Sequence, residues 1–164
     1  MAAKLVSFHV PADKELLTAL GEVALRHEHM NHIIKMTIKS LAGISLSEAI
    51  LATTYESSGQ LRDRARKLAR KRLGEGKALL RLQALLANCK KLTEKRNALM
   101  HGVWAQELDG EPQIRDAYGV AGPLPTAEEL NNLAKEIEDL TNLLNMERLE
   151  GFLYEALSEN ENVK

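Results

Sequence analysis

One cysteine, four prolines and 4% aromatic residues are what this chain of 164 residues holds least of. A lone cysteine, Cys89, excludes an internal disulfide framework and any zinc site built from several thiolates. The longest run without Asp, Glu, Lys or Arg is the eleven residues from Ala117 to Ala127. A membrane helix needs about 20 apolar residues, so no membrane partner is expected. The opening MAAKLVSFHVPADKE shows no basic region followed by an apolar run. No secretory leader is read there, and the cytoplasm is the expected compartment. A glycine-rich phosphate loop, a Ser-His-Asp arrangement and a dinucleotide fingerprint are also missing: Gly74-Glu75-Gly76-Lys77 lacks the preceding strand that a phosphate loop requires.

Leucine and alanine dominate what is present, and β-branched runs are scarce, which favours helix. The length suits one domain over residues 1–164, and a chain of this size buries roughly 68–70% of its unfolded surface without help from disulfides. The fold class expected is all-α: an antiparallel bundle of about five helices, with a small β-hairpin inserted over about 102–119 before the last helix. Asp13 is placed to cap the first helix. Its stripe of Leu16, Leu20, Val23, Ala24, His27, Met30, Ile34, Ile38 and Leu41 recurs at three and four, and Gly43 ends it. Ser45 with Glu48, Ser57 with Gln60, and Thr126 with Glu129 are capping-box pairs that open the second, third and last helices. The fourth helix runs from about Lys77 to Met100, with Leu82, Leu85, Cys89, Leu92, Arg96 and Leu99 on its stripe. Asp109-Gly110 between two short alternating segments predicts the hairpin, and Gly119 to Pro125 reads as a loop. The last helix carries Leu130, Leu133, Ile137, Leu140 and Leu144, then Leu149, Phe152, Leu153 and Leu157, a pattern long enough to pack in the bundle and against a second subunit. Arg148 is expected at its surface.

The formal net charge of −1 hides a polarised chain. Residues 1–59 carry five basic and six acidic side chains, net −1; residues 60–96 carry thirteen and three, net +10; residues 107–164 carry four and fourteen, net −10. A basic middle suggests phosphate-bearing partners.

Arg96 is the anomaly on the fourth helix, because the spacing calls for an apolar residue. A buried guanidinium costs on the order of several kcal/mol unless it is paired. Either a carboxylate answers it or it faces a cavity that holds an anion. Asn97 follows, and His101 lies four residues further, so Asn97 and His101 share a helix face, with Arg96 about 100° to one side. The three heads can line one wall of a cleft. This set suits RNA cleavage without a metal. Histidine exchanges a proton near neutrality. Arginine matches phosphate geometry and stabilises the charge that builds there. Asparagine orients a hydroxyl or the imidazole, and the ribose 2′-hydroxyl is the nucleophile.

The stretch EKRNALMHGVW resembles the signature of HEPN domains (higher eukaryotes and prokaryotes nucleotide-binding). Their motif is Arg, then usually Asn, Asp or His, then three residues, then His; here it is Arg96-Asn97-Ala98-Leu99-Met100-His101. The motif spans few residues, while the helix order and the basic helix before it fit most of the chain. The resemblance implies an all-α homodimer in which one motif per subunit meets across a two-fold axis to form one RNA cleft. It implies a metal-independent endoribonuclease that leaves a 2′,3′-cyclic phosphate or a phosphate end, as in toxins of toxin–antitoxin pairs and phage-defence nucleases. No cofactor and no metal are then expected; RNA is, and so is an antitoxin or inhibitor protein. Glu28 on the first helix, which often packs beside the motif helix, would pair with Arg96 or hold the catalytic imidazole. Some members have lost activity, so the alternative is a non-catalytic dimeric scaffold that binds a protein partner or nucleotide. The hairpin is an insertion relative to a plain bundle.

Other features have sharp and plain readings. Arg62, Arg64, Arg66, Lys67, Arg70, Lys71 and Arg72 place seven positive charges within eleven residues. They form a solvated face, a dock for an acidic tail, or an RNA-backbone contact. Arg62, Arg66, Lys67, Arg70 and, on the fourth helix, Lys95 are the candidate RNA-binding residues. In RHEHMNH, His27 and His29 lie about 160° apart and cannot share one ion, while His29 and His32 share a side and Glu28 with His32 is an i,i+4 pair; two or three such ligands without cysteine are a weak zinc signal. Cys89 reads as core, and Trp104 as a hairpin anchor rather than a base-stacking platform.

Overall fold

A computed structural model describes residues 6–161, with side chains for 7–160. It is mostly helical. In chain order the elements are β1 (Val6–Phe8), α1 (Lys14–Ala42), α2 (Leu46–Thr53), α3 (Ser58–Leu73), α4 (Lys77–His101), β2 (Val103–Glu107), β3 (Pro112–Arg115), β4 (Ala121–Pro123), α5 (Ala127–Leu149) and α6 (Phe152–Glu161).

The helix starts follow from local chemistry. Asp13 accepts from the backbone N–H groups of Glu15 and Leu16, at 2.9 and 3.2 Å. Complete capping boxes open α2 at Ser45, α3 at Ser57 and α5 at Thr126. Gly43 ends α1 with φ 66° and ψ 36°, the left-handed conformation glycine adopts without steric cost.

α1 is the central helix. It packs most extensively on α5 and on α3, and α4 leans on α3, α5 and α1. Val23, Met30, Ile34 and Ile38 of α1 meet Leu61, Ala65 and Ala69 of α3, Leu79, Leu82, Leu86 and Cys89 of α4, Leu130, Ile137 and Leu144 of α5, and Leu153 of α6 in one buried cluster. Each large side chain so buried contributes about 1.5–3 kcal/mol. Among the described residues, no helix is long and apolar enough to cross a membrane.

Two elements differ from the sequence reading. The inserted hairpin is part of a four-stranded antiparallel sheet, in the order β1-β2-β3-β4. β1 comes from before α1 and pairs Val6 with Glu107 and Phe8 with Ala105, while β4 lies in the segment read as a loop and pairs Ile114 with Gly122. Strands of three residues carry no readable period, and the partner of β1 is about a hundred residues away. The last helix is divided in two. Glu150 leaves helical geometry at φ −146° and ψ −2°, and the Glu147 carboxylate accepts from Phe152 N at 2.9 Å to start α6. The Arg81 guanidinium sits 4.2 Å above the Phe152 ring and lies 3.3 Å from Glu147 Oε1, so charge and stacking hold the turn against α4.

Candidate functional site

Arg96 lies on the face of α4 that also carries Cys89, Leu92 and Thr93, and its side chain is 20% exposed. Its Nη1 donates to Asn97 Oδ1 at 3.0 Å, and its Nη2 lies 3.9 Å from Glu28 Oε1 on α1. The sequence left open whether a carboxylate or an anion cavity answers Arg96; a carboxylate stands beside it. Glu28 Oε1 also accepts from Asn31 Nδ2 at 3.4 Å and lies 3.6 Å from His27 Nδ1.

Behind this pair is a buried polar chain. His27, on the core stripe of α1, is 1% exposed. Its Nε2 is 3.2 Å from Thr93 Oγ1. Thr93 Oγ1 donates to Cys89 O at 2.8 Å and accepts from Arg62 Nη1 at 3.1 Å. With the hydroxyl proton directed at Cys89 O, the remaining lone pair accepts from His27. That assigns the Nε2–H tautomer and leaves Nδ1 an acceptor. Burial, seconded by the nearby Arg96 charge, pulls the His27 pKa below its ordinary value of 6.5 against the opposing pull of Glu28. His27 is therefore neutral at neutral pH.

His101 is exposed on the last residue of α4 and has no hydrogen bond or ion pair among the described residues. The turn after it is tight. A Cβ on Gly102 would come within 2.6 Å of Ala98 O and of the Ile114 side chain, so the chain passes directly from the helix into the sheet. Trp104 Nε1 donates to Leu99 O at 3.1 Å, satisfying a carbonyl that the helix end leaves free and anchoring the sheet as its sequence position suggested. The structure thus gathers Arg96, Asn97 and Glu28, and holds His101 at the open end of the same helix.

The basic residues divide. Arg62 is 7% exposed and turned inward onto Thr93, not out along the solvent face, because it shares the helix face of Leu61, Ala65 and Ala69. Burial lowers its pKa. Arg66 pairs with Asp63 at 2.9 Å, Arg64 pairs with Glu56, and Lys95 reaches Glu136 of α5 at 2.9 Å. Lys67, Arg70 and Lys71 are exposed and have no partner among the described residues; they are the open cationic edge of α3.

Cys89 is fully buried, and burial pushes its thiol up to about 11, which makes it an inert core group. His29 and His32 share one cavity between α1 and α5 while His27 points into the core. Among the described residues, no three His, Cys, Asp or Glu are grouped to hold a metal ion. Thr93 and Asn31 escaped the sequence reading, although Thr93 falls one turn after Cys89 on the same stripe. Arg148, expected at the surface, is half-buried, because it lies one turn beyond Leu144 on the core side of α5. Comparison with protein-family models, with curated proteins and with solved structures finds no match.

Proposed function

We propose that this chain is a metal-independent endoribonuclease of HEPN type, acting as a homodimer in the cytoplasm. The observation that carries the reading is a partly open guanidinium, Arg96, fixed by Asn97 and Glu28 on the helix that ends in an unpaired, solvent-facing His101. In the reaction, the RNA 2′-hydroxyl attacks the adjacent phosphorus. The P–O2′ bond forms, the P–O5′ bond breaks, and the products are a 2′,3′-cyclic phosphate and a 5′-hydroxyl. One His101 accepts the 2′-hydroxyl proton, and its counterpart on the second copy donates a proton to the departing O5′. Arg96 neutralises the charge gained by the non-bridging oxygens, and Asn97 orients it. Lys67 and Arg70 meet the RNA backbone, with Arg66 and Lys95 beside their acidic partners. A toxin or phage-defence role, restrained by an antitoxin or inhibitor protein, fits such an activity.

A second reading is supported by the Arg96–Glu28 approach of 3.9 Å: a structural ion pair in a non-catalytic dimeric scaffold that binds a protein partner or nucleotide. Incubation with RNA in excess chelator distinguishes them. Cleavage that persists with chelator, and stops when the scissile nucleotide lacks its 2′-hydroxyl, is the outcome expected; cleavage of the deoxy-substituted strand, or none of RNA, overturns the first reading.

A further inference from the structure

α1 and α5 flank a half-open pocket of about 260 Å³ that shares no lining residue with Arg96, Asn97, His101 or Glu28. Arg26, His29 and His32 line it from α1, and Glu138, Asn142 and Asn145 from α5. Its acid is already matched, since Glu138 Oε1 lies 2.5 Å from Arg26 Nη1. The side chains of His29, His32 and Asn142 have no hydrogen bond or ion pair among the described residues.

Asn145 sets the polarity of the wall. Its Oδ1 accepts from Arg148 Nη2 at 2.7 Å. Because arginine only donates, this fixes which end of the amide faces Arg148 and leaves the NH₂ group free to donate into the cavity. Arg148 itself is half-buried, its Nε is buried without a partner, and no carboxylate among the described residues pairs with it. Burial pulls its pKa below the ordinary arginine value. The Arg148 guanidinium, bonded to the lining residue Asn145, is a positive charge with no carboxylate partner among the described residues, and the unpaired imidazoles and amides of the wall can each turn an N–H toward an anion.

We infer that the α1–α5 cavity is a phosphate site, holding inorganic phosphate or the phosphate end of a small phosphomonoester through His29, His32 and Asn145 beside Arg148. A volume just under the range of about 300–1,000 Å³ usual for drug-sized ligands suits a small anion or one end of a larger one. A metal is the poorer occupant, because the carboxylate on the wall, Glu138, is taken by Arg26 and no three His, Cys, Asp or Glu are grouped to hold an ion among the described residues.

The test titrates the full chain with sodium phosphate, with adenosine monophosphate and with sodium chloride at matched ionic strength, following the melting temperature. A saturable rise with phosphate or with the nucleotide, absent with chloride, is expected; a response to phosphate alone assigns the inorganic ion, and one to the nucleotide alone assigns the ester. The double substitution His29→Ala with His32→Ala, at exposed positions, weakens apparent affinity at least tenfold, and Lys14→Ala leaves it unchanged. Arg148→Ala gives a similar loss; if that variant does not fold, the histidine pair decides. No response beyond chloride, wild-type affinity in the histidine variant, or saturable zinc binding without phosphate binding overturns the assignment.

Discussion

Thr93 Oγ1 on α4 lies 3.2 Å from His27 Nε2 on α1, inside the core. The same oxygen accepts from Arg62 of α3, so a single hydroxyl joins three helices directly behind the Glu28–Arg96 pair. Thr93→Val keeps the shape and strands two buried donors. The expected loss is about 1–3 kcal/mol of unfolding free energy by urea titration, with Thr93→Ser close to wild type. A Thr93→Val variant as stable as wild type would show that the hydroxyl carries none of this load.

Stability should depend on pH through His27. Its folded pKa lies below 6.5, so between the folded value and 6.5 the unfolded chain binds more protons than the folded one. Stability is therefore full above 6.5 and declines as pH falls through that window, by at most about 1.4 kcal/mol per pH unit. Urea titrations from about pH 5 to 8 should show this slope in wild type and a shallower one in His27→Gln.

Arg96 separates the two functional readings. The pair with Glu28 is long, and the Glu28 side chain is 63% exposed, so Arg96→Ala should cost only about 0–1 kcal/mol in stability. Under the proposed reaction it should lower the cleavage rate by about 10²–10³-fold. A loss of several kcal/mol with unchanged cleavage would assign Arg96 to structure alone.

The open edge of α3 predicts a salt effect. Replacing Lys67 and Arg70 with Ala should weaken RNA binding and flatten its dependence on log salt by about 1.4 units, since single-stranded RNA loses roughly 0.7 per phosphate contact removed. Binding measured at several salt concentrations checks this, and an unchanged slope would move the RNA path elsewhere.

The features legible in the sequence were those encoded within a few residues. The capping boxes at Ser45, Ser57 and Thr126 and the glycine stop at Gly43 are pairs or single positions, and each stands where it was read. The grouping of Arg96 with Asn97 is a matter of adjacency, and that with His101 of helical phase. β1 was not legible, because Val6 finds Glu107 only after the bundle brings the two together. Arg62 and Arg148 were misplaced by their charge, although Arg62 keeps step with Ala65 and Ala69, and Arg148 with Leu144. In both cases periodicity outweighs polarity, and the guanidinium drawn away from water takes a partner: Thr93 for buried Arg62, Asn145 for half-buried Arg148.

The most direct measurement compares RNA cleavage by wild type and His101→Ala, with circular dichroism confirming that both are folded. His101 is exposed and unpartnered, so the substitution should leave stability within about 0.5 kcal/mol. The expected result is a loss of about 10²–10⁴-fold in cleavage rate, with 2′,3′-cyclic phosphate ends on the wild-type products. Cleavage at the wild-type rate by folded His101→Ala would contradict it.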